Sequence, residues 1–108
     1  MAYQFSRNPK KVVPVSTKHR LIKTEIPCSG TKEVLDSLDK YESRSMHGQI
    51  PILWDSAKDF NIFDIKGNKF IDFTSAIFFS NVGHSNARVT AAMQDMLNKP
   101  LLGCYAYG

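Results

Sequence analysis

Thiols and imidazoles are the first side chains to consider for chemistry, because both can bind metals or act as nucleophiles and bases. The chain has two cysteines, Cys28 and Cys104, and three histidines, His19, His47 and His84, all far apart in sequence. Metal sites typically bring ligands together at short, regular spacings, which are missing here. We therefore predict no metal site and favour two free thiols over a disulfide.

Two carboxylates, Asp64 and Asp72, flank a predicted hairpin and could in principle act as an acid and base pair. Their places at a turn and at a strand end favour polar surface roles instead. His84 follows Gly83 and precedes a predicted helix cap. That position favours a hydrogen-bonded structural role over a catalytic one, so we predict no catalytic residue in this chain.

Charge is distributed unevenly along the 108 residues, a length that predicts one domain or less. Residues 1–24 carry basic side chains and no acid: Arg7, Lys10, Lys11, Lys18, Arg20 and Lys23. We interpret residues 1–30 as a basic, mostly irregular arm, punctuated by prolines, and residues 31–108 as the folded body. Such an arm can bind nucleic acid or an anionic membrane, or serve as a mitochondrial transit peptide. We favour a solvated arm that packs on another subunit or on further chain.

Two helices are predicted from apolar residues that recur at helical spacing. The first runs from Thr31, taken as its N-cap, to about Ser43, with an apolar face formed by Val34, Leu35, Leu38 and Tyr41. The second runs from Ser85 to Lys99 with Ser85 or Asn86 as its cap, and Val89, Met93, Met96 and Leu97 form its apolar stripe.

Short antiparallel strands are predicted between the two helices. The first begins at Ile52–Trp54, the second covers Phe60–Ile65, and a third follows over Phe70–Phe73. Lys66-Gly67-Asn68 supplies the hairpin turn, in which glycine adopts positive φ at little cost. The overall prediction is an α+β fold. A further apolar run over residues 76–79 requires a covering surface.

The ends of the chain and its hydropathy bear on its location. No run of about 18 apolar residues is present, and the N-terminus lacks the apolar segment of a secretory signal. We expect a cytoplasmic protein without a membrane partner, with a mitochondrial location left open. Residues 101–108 are apolar and aromatic, which predicts a chain cut within a domain.

An ordered series of motifs resembles the front end of class III aminotransferases, a family that includes the 4-aminobutyrate, ornithine and acetylornithine enzymes. The series contains Asp64, the Gly67-Asn68 turn, Phe70-Ile71-Asp72-Phe73, Ser75-Ala76-Ile77 and Asn81-Val82-Gly83-His84. Arg44-Ser45-Met46 and Gly48-Gln49 are similar to the family's lead-in. Two positions depart from the pattern, because relatives commonly have glycine at Ala76 and proline at Ala87.

The resemblance implies that this chain is the small-domain front end of a fold type I, pyridoxal-phosphate-dependent transferase. The complete enzyme would move an amino group from an amino acid or amine to a keto acid, and would work as a homodimer. Its Schiff-base lysine and main pyridoxal phosphate residues would lie beyond this chain, so the 108 residues alone are expected to be inactive. The resemblance places four residues at the substrate site: Ile77, Phe78, Tyr105 and Tyr107.

Two other functions stay open. The first is a small nucleic-acid-binding module that uses the basic arm. We rank it second, and consider a nucleic acid partner improbable, because the basic residues lie in the arm and the aromatic residues in the body, whereas single-strand binders interleave them. The second is a truncated, non-catalytic partner of a full-length aminotransferase.

Overall fold

A single antiparallel sheet organises the chain in the computed structural model, which describes residues 5–43 and 48–99. Within these residues the sheet has five strands in the order β1-β2-β5-β4-β3. The strands are short: β1 Val15–Ser16, β2 Leu21–Ile22, β3 Ser56–Lys58, β4 Asn61–Phe63 and β5 Lys69–Ile71. The helices in this part of the chain are α1 Thr31–Tyr41, α2 Ser75–Phe78 and α3 Ala87–Leu97. The predicted α+β character is confirmed.

The predicted hairpin forms between β4 and β5, with Phe63 opposite Lys69 and Ile62 opposite Phe70. Its turn is held by Asp64, whose Oδ1 accepts hydrogen bonds from the backbone N–H groups of Lys66 and Asn68, both at 2.9 Å. The Asn68 side chain is fully buried and accepts bonds from the N–H groups of Lys23 and Thr24. The turn therefore joins the hairpin to residues from the start of the chain.

Residues assigned to the basic arm also enter the sheet. β1 pairs with β2, and Leu21 of β2 pairs with Lys69 of β5. Arg7 forms ion pairs with Asp36 and Asp39 on α1, at 2.9 and 2.7 Å. These hydrogen bonds, to Asp39 first and then Asp36, raise the pKa of Arg7. The structure thus ties residues 7–22 to both the sheet and α1, and the division of the chain at residue 30 stays a prediction.

Two sequence predictions about element starts are wrong. Residues 52–54 form no strand, because the turn at Asp59–Phe60 pairs Ser56 with Phe63 and the ladder ends there. Thr31 is not the N-cap of α1: Gly30 holds that position with φ 93°. The Thr31 hydroxyl instead lies 3.5 Å from the Cys28 Sγ, and Thr31 is fully buried. Cys28 is a free thiol, and burial raises its pKa.

The apolar core is small for a chain of this length. In the described residues the buried apolar side chains other than proline are Ile22, Cys28 and Ile62. The predicted stripe of α3 is largely exposed, as Met93 at 62% and Leu97 at 73% illustrate. No helix in the described ranges is long and apolar enough to cross a membrane. Hydrogen bonds within the sheet and those made by buried polar side chains such as Asn68 therefore contribute much of the stability of the fold.

Candidate functional site

The segment from Asp72 to His84, here called the 72–84 loop, connects β5 to α3 and contains a network of side-chain hydrogen bonds. The Asp72 carboxylate lies at its centre. Its Oδ1 accepts bonds from the backbone N–H and the hydroxyl of Thr74, both at 2.9 Å. Its Oδ2 accepts from the Ala76 N–H at 2.9 Å and lies 2.7 Å from His84 Nε2. One carboxylate therefore holds both ends of the loop.

His84 closes this network from the far end of the loop. Because the Asp72 carboxylate only accepts hydrogen bonds, the Nε2 atom facing it carries a proton. In the neutral ring, Nδ1 then accepts from the Ser80 hydroxyl, 3.2 Å away. The Trp54 ring meets the imidazole edge-on, with centroids 5.7 Å apart. The hydrogen-bonded structural role predicted for His84 agrees with these contacts.

Asp72 is buried, so the prediction of a surface role for this carboxylate is wrong. Only 3% of its side chain is exposed. Burial raises the pKa of Asp72, but the hydrogen bonds from His84, Thr74 and Ala76 outweigh it, and the pKa falls to about 2. Asp64 is also buried, at 3% exposure, because the hairpin turn folds over it. Both errors arise because turn residues were assumed to be solvated.

The Ser80–His84–Asp72 chain contains the residue types of a hydrolase triad. Its remaining contacts indicate a different role. Asp72 binds the backbone and side chain of the loop itself, at Thr74 and Ala76, as well as the imidazole. A carboxylate used in this way fixes the path of the loop, so we interpret the network as a clasp that holds the loop in shape.

The clasp holds a left-handed helical turn, α2. Ser75, Ala76, Ile77 and Phe78 have φ values from 49° to 66°. The turn is closed by backbone bonds from the Phe78 N–H to the Thr74 carbonyl and from the Phe79 N–H to the Ser75 carbonyl, both 2.8 Å. L-residues favour the right-handed form by about 1–2 kcal/mol each. This strained turn persists because its surroundings fix it, which is frequent at functional sites.

The loop returns to the sheet at Gly83 and His84. His84 and Asp59 exchange two backbone hydrogen bonds, at 2.6 and 2.9 Å. Gly83 has φ 88°, and a Cβ there would lie 3.2 Å from the Asp59 Cα. Glycine is thus required both by conformation and by space. Asn86 then caps α3, accepting bonds from the N–H groups of Arg88 and Val89.

A cavity of about 270 Å³ lies inside the loop. It is lined by Asp59, Phe60, Asp72, Ser75, Ser80, Asn81, Val82, Gly83 and His84. Ile77 and Phe78 do not line this cavity and are 75% and 82% exposed. Together with Phe73 and Phe79, at 90% and 86%, they form an apolar patch that the described residues leave uncovered. Tyr105 and Tyr107 lie outside the described residues.

The cavity does not suit pyridoxal phosphate. Its charged walls include two carboxylates, Asp59 and Asp72, and none of the lining residues is a lysine or arginine. A phosphate would also find the first free N–H groups of α3 already occupied by the Asn86 side chain. This cavity therefore lacks the cationic groups that would balance a phosphate. Asp72 and His84 instead hold the exposed apolar turn α2 in place.

Comparison with known proteins shows partial similarity to aminotransferases. The chain is 41% identical over 59 residues to the 5-aminovalerate aminotransferase of Pseudomonas putida, covering 54% of this chain and 14% of the relative. It is 30% identical over 77 residues to the mitochondrial ornithine aminotransferase of Oryza sativa subsp. japonica, covering 71% and 16%. It is 36% identical over 59 residues to the 4-aminobutyrate aminotransferase of Escherichia coli, covering 54% and 14%.

These similarities support the aminotransferase part of the sequence interpretation. No protein-family model matches the sequence. The chain spans between about a seventh and a fifth of the length of the curated relatives it matches. The similarity therefore covers one segment of each relative, and these relatives are named for different substrates.

Sequence reasoning missed the connection among Asp72, Ser80 and His84. The sequence did contain an indication of this contact, since Asp72 and His84 lie twelve positions apart on either side of the apolar run at residues 76–79. Their meeting required the chain to reverse direction inside that run. The left-handed turn makes this reversal. It contains no glycine, the residue that would indicate positive φ from sequence.

Proposed function

We propose that this chain forms part of a class III, pyridoxal-phosphate-dependent aminotransferase and supplies one wall of its substrate site. The intact enzyme would transfer an amino group from an amino acid or amine to a keto acid. The observation that carries this proposal is the similarity to aminotransferases over half to three quarters of the chain. The order of the motifs from Asp64 to His84 supports the same assignment.

The geometry of the 72–84 loop supports a role for Ile77 and Phe78 in contacting substrate. Asp72 and His84 fix the base of the loop, and the two apolar side chains project from its tip with more than 70% of their surface exposed. Exposed apolar groups held on a rigid, strained turn are suited to complete a pocket whose other walls come from further chain or a second subunit. A homodimer would provide such a wall.

In this proposal, pyridoxal phosphate binds to the complete enzyme. The cofactor acts as the electron sink in amino-group transfer when bound to a lysine. We assign none of the described residues to cofactor binding, because the cavity beside the 72–84 loop has no lysine or arginine in its walls. In this scheme Ile77 and Phe78 exclude water and orient the carbon chain of the amino donor, while Tyr105 and Tyr107 are further candidates for substrate contact.

A chimera tests the proposal. Residues 51–99 would replace the matching segment of the Pseudomonas putida 5-aminovalerate aminotransferase. We expect the chimera to bind pyridoxal phosphate and to catalyse transamination. In the chimera, Ile77→Ala should lower kcat/KM for the amino donor by about tenfold or more, because a few methylene groups in an apolar pocket carry that much discrimination. Phe78→Ala should act in the same direction.

Met93→Ala provides the matched control, because Met93 is an exposed apolar residue of α3 outside the loop. It should leave kcat/KM within about twofold, the scale of a surface substitution. A folded, cofactor-loaded chimera without transaminase activity would contradict the proposed function. An active chimera in which Ile77→Ala and Met93→Ala behave alike would contradict only the substrate wall.

A further inference from the structure

Two neighbouring segments of the sheet carry five cationic residues, which we call the basic corner: Lys18, Arg20, Lys23, Lys66 and Lys69. Lys69 Nζ donates to the Lys18 carbonyl at 2.7 Å, which links β5 to the β1–β2 turn. Lys23 Nζ lies 3.0 Å from the position a Cβ would take on Gly67, next to Lys66. The cations thus come from two segments, residues 18–23 and 66–69, that are distant in sequence.

No carboxylate neutralises this cluster within residues 5–43 and 48–99, since none of the five cations forms an ion pair there. The nearest acid in the hairpin, Asp64, is buried and binds the backbone of Lys66 and Asn68. Glu25 lies two residues beyond Lys23 and is likewise unpaired with it. By contrast, Arg7 and Lys32 are both paired with acids of α1. The basic corner therefore carries unbalanced positive charge.

Aromatic rings lie on or beside the same surface. Phe63 is directly opposite Lys69 in the β4–β5 register, and opposite residues project from the same face of a sheet. The His19 ring packs against Phe60 with centroids 5.0 Å apart, and Phe60 is 46% exposed. In the sequence these rings and cations are up to 50 residues apart. Folding interleaves them, which removes the objection raised by the sequence alone.

We propose that the basic corner binds single-stranded nucleic acid. Phosphates would contact the lysine and arginine side chains, while bases would stack against the exposed ring of Phe60 and the half-buried rings of His19 and Phe63. A sheet face that combines cations with aromatic rings provides both contacts that sequence-tolerant single-strand binding needs. A membrane surface would use the charge but not the rings. This proposal is independent of the aminotransferase assignment.

The test is the binding of a fluorescein-labelled 15-nucleotide oligouridylate to the full 108-residue chain, followed by fluorescence anisotropy at several salt concentrations. We expect a Kd in the micromolar range at low salt. With up to five phosphate contacts, log Kd should change with log salt with a slope of about 3.5, at about 0.7 per contact. Affinity should therefore fall about 100-fold between 50 and 200 mM salt.

Arg20→Gln/Lys23→Gln is the informative variant, because both side chains are exposed and removed from the core. At 0.1 M salt it should weaken binding by about 25-fold and lower the slope by about 1.4. Phe60→Ala should weaken binding without changing the slope. The matched control is Lys40→Gln/Lys99→Gln, which removes the same charge from α1 and from the end of α3 and should bind as the parent chain does.

Two results would overturn the proposal. One is equal weakening by the control and by Arg20→Gln/Lys23→Gln, which would mean that net charge alone drives association. The other is binding to phosphatidylserine vesicles that is tighter than binding to the oligonucleotide and insensitive to Phe60→Ala. Selective loss in Arg20→Gln/Lys23→Gln, together with loss in Phe60→Ala, would support it.

Discussion

Ala76 lies in the left-handed turn with φ 51° and ψ 47°, so its replacement by glycine should stabilise the chain. The backbone bond from the Ala76 N–H to Asp72 is available to either residue. Ala92 offers a comparison, because it is an exposed alanine within the regular helix α3.

The expected magnitudes follow from opposing conformational terms. Left-handed φ and ψ cost an L-residue about 1–2 kcal/mol, and glycine avoids that cost. Glycine loses about 0.5–1 kcal/mol more conformational free energy on folding than alanine does. Ala76→Gly should therefore raise the free energy of unfolding by about 0.5–1 kcal/mol. In α3 only the second term applies, so Ala92→Gly should lower it by about 1 kcal/mol.

Both variants would be compared with the parent chain by proteolysis after equilibration in increasing urea, a measurement that works at low protein concentration. The same chemical change should shift the urea midpoint upward at residue 76 and downward at residue 92. Equal destabilisation by the two glycines would refute the left-handed conformation of Ala76. It would also remove the argument that the 72–84 loop is held under strain.

Two further predictions concern buried polar groups. Because the pKa of Asp72 is lowered to about 2 in the folded chain, its stabilisation is present above the ordinary carboxyl pKa and is lost as pH falls from about 4 to 2. The loss should reach about 2 kcal/mol in acid urea titrations, and Asp72→Asn should abolish this part of the pH dependence. Asn68→Asp should destabilise the chain by about 3 kcal/mol at pH 7, because the new carboxylate would face the Asp64 carboxylate, now 2.8 Å from Asn68 Nδ2. Thermal melting at pH 7 in which Asn68→Asp is as stable as the parent chain would contradict this reasoning. So would a variant that regains no stability near pH 4, where protonation of a carboxyl group should remove the repulsion.

Local features of the fold were predictable from the sequence. The β4–β5 hairpin follows from the aromatic and β-branched residues on either side of Gly67-Asn68, and Asn86, one of the two proposed caps, caps α3. Both depend on interactions within a few residues, which sequence patterns encode directly. The start of α1 was misjudged because a buried contact between Thr31 and Cys28 replaced the expected cap. That contact depends on the approach of the preceding chain.

The candidate site was only partly predictable. Ile77 and Phe78 were chosen through resemblance, and the structure places them at the exposed tip of the 72–84 loop. The residues that hold this tip, Asp72 and His84, had been assigned minor roles. Their partnership depends on a left-handed turn without glycine, a conformation that propensity argues against. The sequence therefore indicated the apolar tip but not the polar clasp beneath it.

The sequence by itself determined most short-range elements, the partial similarity to aminotransferases and the surplus of positive charge near the start of the chain. Only the tertiary structure decided which charges stay unpaired and what lies beside them. Arg7 is neutralised by α1, whereas the Lys23 ammonium lies beside Gly67 and Lys69 lies opposite Phe63 in the sheet. The physical reason is that pairing between distant strands sets these neighbours, and strand register across 40 or more residues is not written in any local pattern.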